Sequence, residues 1–268
     1  MEARGSAVPR RDAEGLDRGP AAYIAEFIGT FALVFFVTSA ISLFIEPPTP
    51  QGPGLPEVQP FVDWSVIGFV HVFVLFMLIQ TLAVISGAHF NPAVTAALAA
   101  IRQIKPVDAA IYILLQLAGG VLGAFVTKLL LKDPGEDVNY GATTLAEDRF
   151  DINLLKGAVF EGLGAFFLVW AIVGVAVNPR AAREWAAFVI AGTLGLIVMV
   201  LGPVTGAGVN PARAFGPALV GSEFGGAGDF IVAYVVAPTL GAVLAAAVYF
   251  YIYILPGKRE PGGMRPVG

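Results

Sequence analysis

Charge is scarce in this chain, and cysteine is absent altogether. Only 13% of the 268 residues are charged, whereas an ordinary soluble domain carries about 25%. The lack of cysteine excludes disulfides, thiolate metal sites and a cysteine nucleophile. The two histidines, His71 and His89, are too few for an all-histidine metal site. We therefore expect no metal and no other cofactor.

Enzymatic chemistry also has little support in the sequence. Serine or threonine does not occur with histidine and aspartate in a pattern that suggests a nucleophile and its base at membrane depth. We therefore expect neither an enzyme nor a nucleic-acid-binding protein.

Long apolar runs dominate what is present. The chain is 57% hydrophobic, and each run is close to the length of about twenty residues that a helix needs to cross a bilayer. This pattern predicts an integral membrane protein with six spanning helices. The runs cover approximately residues 21–45, 64–86, 107–131, 154–177, 185–204 and 230–255.

Two related stretches, residues 87–93 and 206–213, interrupt this pattern. Each begins at glycine, contains Asn-Pro-Ala and continues into an apolar segment of about two to three helical turns. Asparagine is a strong helix N-cap and proline is favoured at the first helical position, so Asn91 and Asn210 are each predicted to begin a helix. Such a helix crosses only half of a ~30 Å hydrocarbon core. Irregular backbone at mid-membrane is tolerated only inside protein or beside a cavity, and the pattern therefore predicts a pore.

The sequence also contains an internal repeat. Residues 26–29 match residues 161–164, and both Asn-Pro-Ala motifs follow in the same order. Three spanning helices per half is an odd number, so the halves are expected to be inverted, with both motifs near the midplane. The predicted division is a polar tail at 1–20, a channel domain at 21–256 with repeats at about 21–131 and 154–256, and a second tail at 257–268.

Positive charges indicate the orientation in the membrane, because basic residues accumulate in cytoplasmic loops. With both termini in the cytoplasm, eleven basic residues lie inside and four outside, and Arg213 is left in the interior. We therefore expect cytoplasmic termini. The polar first twenty residues have no apolar signal sequence, which suggests a bacterial inner membrane, with an organelle membrane as the alternative.

The two motif stretches, SGAHFNPAVT and TGAGVNPARAFGPAL, resemble those of the aquaporin, or major intrinsic protein, family, as do the paired glutamates and the order of the helices. The resemblance extends over about residues 20–256. It implies an all-α membrane protein with six transmembrane helices and two re-entrant half-helices, arranged as inverted three-helix repeats. It further implies passive, single-file conduction of water with exclusion of protons, and a homotetramer in membrane lipid.

Asn91 and Asn210 are the candidate donors of the pore. An asparagine whose side-chain oxygen caps its own helix still has an NH₂ group that can donate to water. Both half-helices would also point their positive N-terminal ends at one place, each equivalent to about half an elementary charge, which disfavours a cation or hydronium ion there. Neutral molecules would pass and protons would not.

Arg213 directly follows the second motif, and a charge in an apolar membrane stretch indicates a functional site. The resemblance implies that Arg213 forms a selectivity filter with His71, Val198 and Ala207. This set departs from the pattern of strict water channels and is closer to that of plant vacuolar members. We therefore expect a somewhat wider, partly apolar aperture that passes water, with ammonia and hydrogen peroxide as further candidates.

Small residues beside the motifs and two buried glutamates complete the candidate site. Backbone carbonyls can line the water file where side chains are small. By the resemblance, Glu26 and Glu161 are expected to accept hydrogen bonds from the re-entrant loops. The alternative is that they form the proton-coupling pair of a transporter. The pore carbonyls are assigned to Gly87, Ala88, His89, Gly206 and Gly208.

The choice between water and glycerol depends on positions outside the filter. Glycerol-conducting members carry aspartate shortly after the second motif and a Pro-Leu pair on the last helix, where this chain has Ala214 and Tyr234-Val235. Ala214 and Tyr234 favour a water channel, whereas Val235 departs from the usual aromatic pair. A glycerol or small-polyol facilitator is therefore the alternative.

Overall fold

The fold is built from membrane-length helices. A computed structural model describes residues 18–46 and 61–256. Within these residues, six helices are long and apolar enough to cross a membrane, which confirms the predicted all-α class. Together with two short helices they are numbered α1 (Pro20–Phe44), α2 (Trp64–Ser86), α3 (Pro92–Ala100), α4 (Pro106–Leu130), α5 (Leu154–Val177), α6 (Ala186–Thr205), α7 (Pro211–Gly221) and α8 (Ala227–Ile254).

The helix boundaries follow signals that are visible in the sequence. Proline occupies the start of α1, α3, α4 and α7, where its missing N–H has no intrahelical partner to lose. Asp63 caps α2 and Asn153 caps α5 by accepting backbone N–H groups of the first turn. At their C-terminal ends, α2 and α6 stop at Gly87 and Gly206, whose φ angles of 92° and 74° are left-handed values that glycine adopts without strain.

Some local details differ from the predicted helices. The last helix begins at Ala227 rather than at 230, and it contains π-helical stretches at Ile231–Val236 and Phe250–Ile254. A hydrophobic run does not reveal such changes, because a π-turn differs from an α-turn by only one residue. The connections between the helices contain short segments: helical at Lys132–Glu136, Asn139–Gly141 and Glu147–Phe150, and paired strands at Ile45–Glu46 and Phe61–Val62.

The predicted polar tails lie almost entirely outside the described residues. Of the first tail only residues 18–20 are described, and α1 already begins at Pro20. Residues 257–268 lie outside the described range. The boundaries assigned to the tails and to the two repeats therefore stay predictions.

Equivalent helix pairs pack closely in the two halves. α1 packs on α4, and α5 packs on α8. At Gly119 in α4, a Cβ would lie only 2.5 Å from the carbonyl oxygen of Phe27 in α1. Between α5 and α8, a Cβ on Gly241 would overlap the carbonyl oxygen of Gly162 in the same way. Small residues allow this approach, and close packing is a main source of helix association in a membrane.

The half-helices link the two halves. α3 packs against α8, and α7 packs against α4. Each half-helix therefore rests on the last spanning helix of the opposite half. This exchange brings the N-terminal ends of α3 and α7, and with them both motifs, to one place in the interior.

Substituting Gly119 by alanine should destabilise the protein. The added Cβ would overlap the Phe27 carbonyl oxygen and crowd the amide nitrogen of Phe31, 3.0 Å away. Overpacking of this kind costs about 1–3 kcal/mol, so we expect the apparent Tm in detergent to fall by about 2–10 °C. Gly192→Ala is the matched control, because no atom lies within 4 Å of its Cβ position. Equal Tm values for the two variants would contradict the close packing at Gly119.

Candidate functional site: the junction of the two half-helices

The two motif asparagines cap the half-helices. The side-chain oxygen of Asn91 accepts the N–H of Ala93 at 2.9 Å. That of Asn210 accepts the N–H groups of Ala212 and Arg213 at 3.0 and 3.3 Å. Both asparagines are buried. Their amide groups are therefore oriented by the helices that they begin.

The amide nitrogens of these asparagines bind across the junction. Nδ2 of Asn91 donates to the carbonyl oxygen of Val209 at 3.0 Å, and Nδ2 of Asn210 donates to that of Phe90 at 2.9 Å. Phe90 and Val209 have positive φ angles of 50° and 39°. An NH₂ group has two hydrogens, so each asparagine has one N–H left after its cross-loop bond.

Glu26 in α1 holds the first re-entrant loop. Its carboxylate accepts the hydroxyl of Ser86 at 2.6 Å, the N–H groups of His89 and Phe90 at 3.0 and 2.7 Å, and Nε2 of Gln116 at 2.7 Å. Four donors satisfy one fully buried carboxylate. A buried charge is tolerated when it is hydrogen-bonded in this way.

Glu161 in α5 holds the second loop with nearly the same geometry. It accepts the hydroxyl of Thr205 at 2.5 Å, the N–H of Gly208 at 2.9 Å and the N–H of Val209. It is also fully buried. Each glutamate thus contacts the loop of its own half, behind the segment that precedes the asparagine.

Four further residues complete the support of the re-entrant loops: Tyr112, Ser86, Tyr234 and Thr205. These roles were not identified from the sequence. The hydroxyl of Tyr112 donates to the carbonyl oxygen of Ser86, and that of Tyr234 donates to the carbonyl oxygen of Thr205, both at 2.8 Å. Ser86 and Thr205 immediately precede the glycines that end α2 and α6. Both pairs occupy corresponding positions of the internal repeat, so a full alignment of the two halves would have indicated them.

A narrow cavity of about 30 Å³ lies at the junction and contains both asparagines in its wall. Of the predicted filter, His71, Ala207 and Arg213 line it, whereas Val198 does not. Val198 is buried in α6, four residues after Leu194, which does line the cavity. The other lining residues are largely aliphatic: Leu33, Leu75, Val94, Leu168, Ile172, Ile190, Leu194 and Val209.

The assigned pore carbonyls divide into two groups. Ala88, His89 and Gly208 line the cavity, whereas Gly87 and Gly206 do not. The latter two end α2 and α6 in left-handed conformation. They are the turns that direct the following backbone toward the cavity.

Arg213 and His71 are both oriented by backbone carbonyls. Arg213 is 3% exposed, and its Nη1 donates to the carbonyl oxygen of Gly141 at 2.9 Å. Nδ1 of His71 lies 2.8 Å from the carbonyl oxygen of Ile67. A carbonyl can only accept, so Nδ1 of His71 carries a hydrogen and Nε2 is the nitrogen not used in this bond.

Comparison with known proteins settles the family. A sequence model described as "Major intrinsic protein" matches residues 19–249. The chain belongs to the major intrinsic protein family. This family consists of membrane channels, so the resemblance stated from the motifs is confirmed and the chain is an integral membrane protein of the channel class.

Several members of the family are similar over most of their length. Aquaporin AqpM of Methanothermobacter thermautotrophicus is 36% identical over 238 residues, which cover 85% of this chain and 96% of the relative. Nodulin-26 of Glycine max is 36% identical over 226 residues, covering 84% and 75%. The structure of the aquaglyceroporin from Plasmodium falciparum has the same fold, with a TM-score of 0.72 at 24% identity, covering 88% of this chain and 97% of that one.

Proposed function

We propose that this chain is a passive channel that conducts water in single file. The observation that carries the proposal is that Asn91, Asn210 and Arg213, from two separate half-helices, line one narrow cavity. Its volume is about 30 Å³, and one water molecule needs about 10–15 Å³ of such space. A cavity of this size admits waters one after another rather than side by side.

Proton exclusion follows from the charges at the junction. The remaining N–H of each motif asparagine can donate to the oxygen of a passing water. α3 and α7 also direct their positive ends, each equivalent to about half an elementary charge, toward this water. A hydronium ion is therefore repelled where a neutral water is bound.

The filter is proposed to consist of His71, Val198, Ala207 and Arg213. Arg213 supplies a fixed charge and donors, and His71 supplies a ring nitrogen beside them. Ala207 adds a small apolar wall that distinguishes solutes by size, and Val198, buried in α6 outside this cavity, is included because the family resemblance assigns it to the filter. Ammonia and hydrogen peroxide are of similar size to water, and we include them among the permeant solutes.

We assign the supporting groups to separate roles. The carbonyls of Ala88, His89 and Gly208, which line the cavity, are proposed to accept hydrogen bonds from water along the file. Those of Gly87 and Gly206, outside this cavity, are proposed to continue the file beyond it. Glu26 and Glu161 are proposed to fix the loops, because their oxygens are already occupied by loop N–H groups and hydroxyls.

The assembly is proposed to be a homotetramer in a bacterial inner membrane, with both termini in the cytoplasm. Large apolar side chains such as Phe69, Phe73, Phe188 and Leu196 are exposed on α2 and α6. Exposed apolar surface of this kind is suited to lipid or to another copy of the chain. The orientation rests on the excess of basic residues on the proposed inner side.

A glycerol or small-polyol facilitator is the second candidate, because aliphatic side chains form much of the cavity wall. Such a wall can accept the carbon side of a polyol. The small cavity volume of about 30 Å³ favours water over a polyol. The two functions differ in the solute that crosses, and not in the fold.

Reconstitution in liposomes distinguishes these functions. We expect osmotic water permeability well above that of protein-free liposomes, while glycerol permeability stays close to the protein-free value. Stopped-flow light scattering measures both. Equal acceleration of water and glycerol would favour the facilitator, a flux driven by a pH gradient would favour a proton-coupled transporter, and unchanged water permeability would refute the channel.

A further inference from the structure

Arg18, just before α1, lies beside Gly87, the residue that precedes the cavity-lining segment. A Cβ placed on Gly87 would lie 3.5 Å from a guanidinium nitrogen of Arg18 and 3.4 Å from Nε2 of His89. Ala88 and His89, which follow Gly87, line the cavity. The guanidinium of Arg18 and the ring of His89 thus flank the same backbone segment at the mouth of the pore.

The backbone of Arg18 is held in place by a buried carboxylate. Asp108, near the start of α4, is 6% exposed. It accepts the hydroxyl of Tyr23 at 2.6 Å and lies 3.5 Å from the backbone nitrogen of Arg18. α1 then begins within two residues, at Pro20. These contacts fix the start of the Arg18 side chain beside the mouth.

The charge of Arg18 acts on the groups that form this mouth. It interacts electrostatically with Tyr112 and with His89, and the carboxylate of Glu26 acts on both groups in the opposite direction, more strongly than Arg18 at His89. Its Nε is buried and makes no hydrogen bond within the described part of the chain. The guanidinium therefore has an N–H without an acceptor in this part of the chain, and its positive charge produces a field around it.

We propose that Arg18 is a second selectivity residue of the pore, placed at the mouth opposite Arg213. Its positive charge lowers the local concentration of cations at this mouth and raises that of anions. Asp108 acts as the positioning residue, and its charge and that of Glu26, which accepts the N–H of His89 at 3.0 Å, oppose this field. The proposal rests on the proposed channel function and assigns a cation barrier to each end.

The field can be measured chemically, because the chain contains no cysteine. Ala88→Cys introduces a single thiol in the cavity wall, and the backbone there already has a positive φ of 54° with alanine. The rates of alkylation by iodoacetate, an anion, and by iodoacetamide, which is neutral, are compared on the same purified protein. The ratio of the two rates cancels changes in thiol reactivity and reports the local potential.

We expect Arg18→Gln in the Ala88→Cys background to lower the iodoacetate-to-iodoacetamide ratio by about three- to tenfold, and raised salt to reduce the difference. Arg18→Lys should keep most of the ratio. Arg180→Gln is the matched control, because Arg180 is exposed on the turn between α5 and α6.

Three outcomes would contradict the proposal in different ways. An unchanged ratio in Arg18→Gln, or an equal decrease in Arg180→Gln, would overturn the role of Arg18 and leave the channel intact. A thiol at position 88 that does not react with iodoacetamide either would show that the mouth is closed. That result would count against the proposed channel as well.

Discussion

Replacing Arg213 by valine will open the pore to solutes that the wild-type chain rejects. The side chain is 3% exposed and donates to the Gly141 carbonyl beside the cavity. Valine removes a bulky charged group and leaves an apolar gap. We expect glycerol permeability to rise by about tenfold or more, since pocket-size discrimination of this kind corresponds to about 1–3 kcal/mol. Stopped-flow measurements with glycerol gradients, and a pH-sensitive dye inside the vesicles for proton leak, test this expectation.

The Arg213→Val variant should still fold. Valine removes a buried charge that is costly to desolvate, while the Gly141 carbonyl loses its donor at a cost of about 1–3 kcal/mol. Arg180→Val, on the exposed turn between α5 and α6, is the control for a general effect of removing an arginine. Unchanged glycerol and proton permeability in a folded Arg213→Val protein would exclude Arg213 from the filter.

Replacing Glu161 by leucine will abolish the channel. The carboxylate accepts the Thr205 hydroxyl and the N–H groups of Gly208 and Val209. Leucine leaves these three buried donors without an acceptor, at a cost of about 1–3 kcal/mol each. That sum is comparable to the whole stability of many proteins, which is about 5–15 kcal/mol. We expect loss of water permeability per reconstituted molecule and a large decrease of the apparent Tm.

A graded series separates support from proton coupling. Glu161→Gln keeps one acceptor oxygen and should retain part of both stability and water permeability, while Glu184→Leu, exposed before α6, should leave both near wild type. If Glu161→Gln kept full stability but lost a flux driven by a pH gradient, the glutamate would be a proton carrier and the support role would be wrong.

Much of the architecture could be predicted from the sequence because its signals are local. Asn91-Pro92 and Asn210-Pro211 begin α3 and α7 by their own chemistry, and Gly87 and Gly206 end the preceding helices α2 and α6. The length of each apolar run sets the number of membrane crossings. These features depend on residues a few positions apart, and the predicted helix starts and number of membrane-length helices agree with the structure.

The contacts between the halves could not be predicted in the same way. The acceptors of the asparagine amides, Phe90 and Val209, are apolar residues that contribute only a backbone carbonyl. In the sequence, Arg18 is one of several basic residues near the start of the chain, and nothing distinguishes it from the others. Its position beside Gly87 depends on how α1 packs against α2 and α4. These contacts depend on tertiary packing, which cannot be predicted from a local sequence pattern.

The cross-loop hydrogen bonds also constrain how the molecule is made. Asn91 donates to Val209, and Asn210 donates to Phe90, so neither asparagine amide can make this hydrogen bond before the other segment has entered the bilayer. During synthesis, the first segment therefore lacks the Val209 carbonyl as an acceptor while more than a hundred further residues emerge from the ribosome. The water path is consequently completed as one of the last events of biogenesis, when the second segment arrives.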